Sequence, residues 1–333
     1  MAFTAQELMA LLPALGGEPM ESLQIVAAAQ AARQHYPHFD PGQPVLLVGL
    51  QDGALLDRLR QMLLMAYPPD HPATLIAGEA QHGVALADLT AARWQEAGTP
   101  ACLLIAALPT PACYAALQDV AAHLRAPEGC PWDRALTWAK LRASLLEETH
   151  ELLSALDAED AAKVAEELGD LLLQIAMQTQ IAAEAGRFRL PDVIRQIVAK
   201  LVRRHPHVFG DAVVSGTDEV LANWEAIKAA ERAANGELRS PLAGIPAGLP
   251  ALAQADAYLD RMSRLRALSA ADAPWRPLAE LPAGAAVSPE IVGQALFGLV
   301  AWARARGIDA ESALRAANSR YAAAVAEEFA GGS

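Results

Sequence analysis

Aromatic side chains make up only 5% of the 333 residues while alanine abounds, a balance that favours helix over sheet. The three cysteines, Cys102, Cys113 and Cys130, have no metal-ligand or disulfide spacing. A zinc site and a disulfide framework are thereby excluded, and reduced thiols in a cytoplasmic protein are expected. No apolar run approaches the ~20 residues of a membrane span. The N-terminal stretch MAFTAQELMALLPALGGEPME has neither a basic leader nor a long apolar segment, so no signal peptide is expected. Cations are also outnumbered: 26 Lys and Arg against 39 Asp and Glu leave a net charge of -13. Such a balance argues against stable nucleic-acid binding. It leaves room for an anionic ligand, provided that a local basic cluster or a bound metal supplies positive charge. With 53% hydrophobic and 20% charged residues, the chain suits a soluble globular protein of two or three domains.

What is present divides along the chain. PVLLVGL (44–50) and ACLLIAALP (101–109) are short apolar runs bounded by Gly or Pro and read as buried strands. ATLIAG (73–78) is a further strand candidate, and DGALLDRLRQMLLMAY (52–67) has helical periodicity. The alternation implies a small α/β unit over residues 1–122. After APEGCPWD (126–133) the pattern turns helical. Leu141, Leu145, Leu152, Leu156, then Val164, Leu168, Leu171, Ile175, and later Val193, Ile197, Leu201 recur every three or four residues. In CPWD, Asp133 is read as an N-cap, and Trp132 as either a cover over the site or a packing residue. A second domain over 123–236 follows. NGELRSPLAGIPAGLP (235–250) reads as a linker, and a helical third domain over 237–333 is interrupted by the proline-rich stretch 273–289. ELGDLLLQIAMQTQIAAEAG (167–186) has a faint copy in IVGQALFGLVAWARARG (291–307), where Ile291 and Gln294 replace Glu167 and Asp170.

The segment LLEETHELLSALDAEDAAKVAEELGD (145–170) concentrates the acids. Two helices joined by a turn near Ala158–Asp160 run antiparallel. With the turn centred on Glu159, Glu148 and Asp170 each lie eleven residues away, and Glu151 and Glu167 each eight. The four acids become two facing pairs, each pair about 4.5 Å apart along its helix. A Glu-rich helix is more often a solvated face. Here the mirrored spacing, and Asp170 within the apolar LGDLLLQIAM, favour a cage for hard divalent cations. Glu166 reads as solvated. Glu147, four residues before Glu151, can reach the site either as a group behind the ligands or as the base that takes a proton from water.

Downstream, Lys200 and Arg204 share a helix face, with Arg203 expected to point elsewhere. His205 and His207 read as structural or capping residues. Trp224 and Lys228 are again four apart, an aromatic beside a cation that suits a base and its phosphates. Together with a metal site these residues imply a substrate with several phosphates.

GCPWDRALTWAKLRASLLEETHELLSALDAEDAAKVAEELGDLLLQIAMQ, with KLVRRHPHVFGD and NWEAIKAAER, resembles the MazG family of nucleoside triphosphate pyrophosphohydrolases over about 126–232. The resemblance implies a mainly α protein: an all-α MazG-type bundle with a degenerate second helical module, preceded by the α/β domain. It implies a Mg²⁺-dependent enzyme, Mn²⁺ being a possible substitute, that cleaves NTPs or dNTPs to NMP and pyrophosphate as a homodimer. The metal ligands would fall on Glu148, Glu151, Glu167 and Asp170, and phosphate and base contacts on Lys200, Arg204, Trp224 and Lys228. The second module is expected to be inactive and to serve dimerisation; Arg320 remains there, but Ala324 replaces the second cation. Trp138 and His150 depart from the family pattern. AYPPDHPATLIAGEA (66–80) is similar to the C-terminal half of tetrapyrrole methylase domains. LVGLQDG does not replace the missing Gly-rich lobe. The rival reading is a non-catalytic regulatory protein that uses its helical modules as binding surfaces.

Overall fold

The computed structural model describes residues 22–98, 101–110, 112–234, 242, 245–265 and 288–330. It forms two compact units, Met1–Val193 and Ile194–Ser333.

The first unit opens with an α/β layer. Its elements are β1 (Gln24–Ala27), α1 (Ala28–Ala31), β2 (Val45–Val48), α2 (Gly53–Leu63), β3 (Pro72–Ala77), β4 (Ala80–Ala85), a 3₁₀ turn (Leu86–Asp88), α3 (Ala91–Glu96) and β5 (Cys102–Ile105). The sheet order is β1-β2-β5-β3-β4, with β1 and β2 parallel and the other pairs antiparallel. The expected strands are all present. β2 is buried on both faces because alternate side chains enter different cores. Val45 and Leu47 join Leu56, Leu59, Leu75 and Leu103, whereas Leu46 and Val48 join Ile76 and Cys102. Asp52 caps α2 by accepting a hydrogen bond from the Leu55 amide at 2.7 Å. A Cβ on the adjoining Gly53 would lie 2.6 Å from Ala91, so the glycine of LVGLQDG serves a close helix approach.

The helical part of this unit comprises α4 (Tyr114–Arg125), α5 (Pro131–Arg134), α6 (Trp138–Asp157) and α7 (Ala161–Glu184). Thr137 caps α6 through the Lys140 amide, and Asp160 caps α7 through the Ala162 and Lys163 amides, both at 3.1 Å. Between them Glu159 takes φ 53°, and the Asp160 and Glu159 amides donate to Ala155 and Leu156 carbonyls. This closes α6 as a Schellman-type turn and reverses the chain where the spacing of the acids places the reversal. Asp160→Ala is expected to cost about 1 kcal/mol, visible as a lower denaturant midpoint with unchanged slope. Helix α4 packs on α6 and α7 through Ala121, Leu141, Ala176 and Met177. Arg125, on α4, grips Glu184, on α7, with two bonds of 2.9 and 2.7 Å. Trp138 stacks on Phe188, lies under the Arg187 guanidinium and donates to the Gln178 carbonyl.

Two sequence expectations fail here. Cys130, not Asp133, precedes the four-residue α5; Pro131 sits at its first position, and Asp133 lies within it. Trp132 is 70% exposed and does not pack.

Helix α8 (Leu190–Arg204) carries the boundary between the units. The second unit continues with α9 (Pro206–Phe209), α10 (Thr217–Ala234), α11 (Ala251–Leu265), α12 (Pro289–Arg304) and α13 (Ala310–Ala330). Residues 245–250 of the expected linker are without helix; most of the remainder, and of the stretch 273–289, lies outside the described residues. Helix α11 packs on α12 through Ala255, Leu259 and Val300. Arg304, on α12, pairs with Asp256 at 3.0 Å and with Asp260, both on α11. The faint repeat extends to the ends of its helices. Gly186 and Gly307 take φ 66° and 70°, and the amides after them, Arg187 and Ile308, donate to Ala182 and Ala303. Both helices therefore stop in the same left-handed glycine cap.

Candidate functional site

Glu148 and Glu151 project from α6 and Glu167 from α7, and one carboxylate oxygen of each lies within 4.8 Å of the others. Glu167 is the deepest, 1% exposed, and makes an ion pair with Lys163 through its Oε1. Glu148 is half-buried and Glu151 exposed. Burial, then the charges of Asp170, Glu151, Glu167 and Glu147, push the Glu148 carboxyl above its ordinary pKa. Asp170 is half-buried and is the strongest of these charges on Glu148, although it is not one of the three with mutually close oxygens. Glu147 is exposed and its charge acts on Glu148 least of the four.

The structure also adds a cation that sequence reading passed over. Lys163 Nζ lies 2.8 Å from Glu167 Oε1 and 3.1 Å from the exposed Glu166. These two carboxylates, Glu167 first, push the ammonium above its ordinary pKa and hold it charged. The signal was available as an i, i+4 spacing.

These residues fit a hard divalent cation. Several carboxylate oxygens converge from two helices, and the single Lys163 ammonium at Glu167 does not neutralise three carboxylates. The buried acid is Glu167 rather than Asp170, so the argument from the apolar helix holds for a neighbouring residue.

The expected phosphate-binding residues stand in the second unit. Arg203 and Arg204 both turn to Glu231: Arg203 Nε lies 2.7 Å from Oε1 and Arg204 Nη2 2.6 Å from Oε2. Arg203 therefore does not point away, because its long stem lets the guanidinium curl round the end of α8 to the same carboxylate. Glu231 is 27 residues from Arg204, beyond any local spacing rule. Lys228 Nζ sits 4.6 Å from the Trp224 ring centroid and 3.1 Å from Glu225. Lys200 is exposed. His205 Nδ1 lies 2.7 Å from the Leu201 carbonyl, a capping role as expected.

Hydrogen bonds from Arg204, then Arg203, hold the Glu231 carboxyl down to about 2. A depressed carboxyl contributes stability that is fully present above its unfolded value of 4.5 and is lost as pH falls through about 2. Glu231→Gln is expected to lower the unfolding midpoint at pH 7, with the two proteins converging as pH approaches 2.

Residues 136–209 match the MazG nucleotide pyrophosphohydrolase domain. The Escherichia coli (strain K12) protein named nucleoside triphosphate pyrophosphohydrolase is 38% identical over 218 residues, 62% of this chain and 82% of that one. The chain belongs to the MazG family. A Thermotoga maritima relative, named nucleoside triphosphate pyrophosphohydrolase/pyrophosphatase MazG, is 36% identical over 62% of this chain and 81% of its own length. YabN of Bacillus subtilis, which carries no assigned activity, is 46% identical over 142 residues; these are 43% of this chain and 29% of YabN. The stretch matched to the MazG domain contains Glu147, the four candidate metal-binding acids, Lys200 and Arg204; Trp224 and Lys228 lie beyond it.

Proposed function

We propose that the chain hydrolyses nucleoside triphosphates, ribo or deoxy, between the α and β phosphates. One water is consumed per molecule, and NMP and pyrophosphate are released, an activity suited to nucleotide-pool housekeeping. The observation that carries this reading is the convergence of Glu148, Glu151 and Glu167 within 4.8 Å, one of them almost fully buried. Named relatives support the reaction class.

In this reading Glu148, Glu151, Glu167 and Asp170 hold Mg²⁺, or Mn²⁺ in its place. When bound, the cation neutralises phosphate charge and lowers the pKa of a water. Glu147, exposed and one turn before Glu151, accepts the proton of the attacking water. Lys200 and Arg204 receive phosphate oxygens, and the Trp224 ring with Lys228 receives the base and the remaining charge.

The division into 1–122, 123–236 and 237–333, the methylase-like ancestry of the first part and an inactive third part that serves dimerisation belong to the same proposal. So does a cytoplasmic location; among the described residues no helix is long and apolar enough to cross a membrane. The active species is a homodimer. Ala176, Thr179 and Ala182 on α7 are buried, Ala176 against α4, but the apolar side of the helix continues into Leu168, Leu172 and Ile175, which are 47%, 43% and 44% exposed. Helix α8 buries none of its own residues, and Ile197 and Leu201, expected as core, are 40% and 47% exposed. Apolar stripes of this kind are covered by a partner in stable proteins.

The decisive assay incubates purified protein with Mg²⁺ and a panel of NTPs and dNTPs. Pyrophosphate release is expected, and release should collapse in the double variant Glu167→Ala, Asp170→Ala. Orthophosphate alone, or an unchanged rate in the double variant, refutes the reading. Absence of any release would favour the non-catalytic alternative.

A further inference from the structure

We propose that Lys163 is a built-in competitor for the divalent cation: its ammonium occupies Glu167 until a cation displaces it, and Glu166 then receives it. The inference rests on the reading of Glu148, Glu151 and Glu167 as metal-holding acids. Glu167 is 1% exposed, and a carboxylate so deeply placed requires a positive partner. Lys163 provides one from the surface. Its side chain is 47% exposed, yet its head reaches 2.8 Å from Glu167, a stem-and-head arrangement open to long cationic side chains. The same ammonium is 3.1 Å from Glu166, whose side chain is 62% exposed. It thus stands between a buried carboxylate, which would hold the metal, and a solvated one, which would not.

A divalent cation and an ammonium repel each other across the shared Glu167 carboxylate, so binding of one weakens binding of the other. Transfer of the ammonium to Glu166 alone needs only rotations about the four-carbon stem of an exposed lysine. Lys163 therefore lowers the apparent affinity for the cation, and Glu166 offsets part of that loss by giving the displaced head a partner. With little cation available, Lys163 keeps the facing acids compatible with a closed hairpin.

The test measures Mn²⁺ binding by the full-length protein directly, from the free-ion EPR signal at fixed pH, for wild type, Lys163→Gln, Glu166→Gln, the double variant and Glu167→Gln. Lys163→Gln is expected to bind about threefold tighter and Glu166→Gln about threefold more weakly, the scale of one exposed ion pair. In the Lys163→Gln background, Glu166→Gln should have no effect, because there is no ammonium left to receive. Unchanged or weaker binding by Lys163→Gln overturns the proposal. Equal weakening by Glu166→Gln in both backgrounds also overturns it, since that outcome reports only the general field of a removed charge. Failure of wild type to bind Mn²⁺, or undiminished binding by Glu167→Gln, would instead overturn the metal-site reading itself.

Discussion

Glu167→Gln is expected to lower pyrophosphate release by about a hundred- to a thousandfold, the scale of losing several kcal/mol of metal-assisted charge stabilisation. The same substitution should raise the unfolding midpoint of the protein in chelator by about 2–4 °C. The two signs follow from one position. Glu167 is 1% exposed with the carboxylates of Glu148 and Glu151 close by, and it is paired with the half-exposed Lys163. Removing its charge relieves repulsion and desolvation while keeping shape, and the lost pair with an exposed lysine is worth only about 0–1 kcal/mol against them. Added Mg²⁺ should reverse the order, since a ligand at a hundred times its Kd stabilises the wild-type fold by about 2.7 kcal/mol and leaves the variant largely unaffected. Activity assays and thermal melts with and without Mg²⁺ make the comparison. A variant that is inactive and also less stable in chelator would show that Glu167 serves the hairpin rather than the chemistry.

Leu172→Glu is expected to convert a homodimer into a monomer. Leu172 lies midway along the exposed stripe between Leu168 and Ile175, and each large apolar side chain withdrawn from water contributes about 1.5–3 kcal/mol. A buried charge at the centre of two facing stripes should raise the dimer dissociation constant at least about a hundredfold. Light scattering after size exclusion would read a halved mass. A variant that keeps the dimer mass would place the subunit contact elsewhere, and a wild type of monomer mass would remove it.

The helical hairpin was legible in the sequence because its two determinants are local. Asp160 is a capping residue at the right place, and the acids lie at equal distances on either side of Glu159. β2, β3 and β5 were legible because short apolar runs end at Gly or Pro. β4 was not, since AQHGVA at the sheet edge exposes its first four residues and shows no apolar alternation. Periodicity identified apolar faces on α7 and α8 but not what covers them, so Leu168, Ile175, Ile197 and Leu201 were expected in a core and are exposed. Among the site residues, the convergence of Glu148, Glu151 and Glu167 could be inferred from spacing alone. The shared grip of Arg203 and Arg204 on Glu231 could not, because the chain between them has to fold back before they meet. Asp133 was misjudged because Pro131 starts a helix too short to show a period.

The two repeated helices are each packed by a preceding helix, and the ion pairs that fasten them run in opposite directions. In the first pair α4 carries the cation, Arg125, and α7 the anion, Glu184. In the second, α11 carries the anions, Asp256 and Asp260, and α12 the cation, Arg304. A chain that folds with two similar docking sites risks exchanging their occupants. Exchange here would set Arg125 against Arg304 and leave Glu184 among aspartates, so each wrong pairing is repelled as the right one is held. The opposed polarity would disfavour any exchange of these look-alike helices.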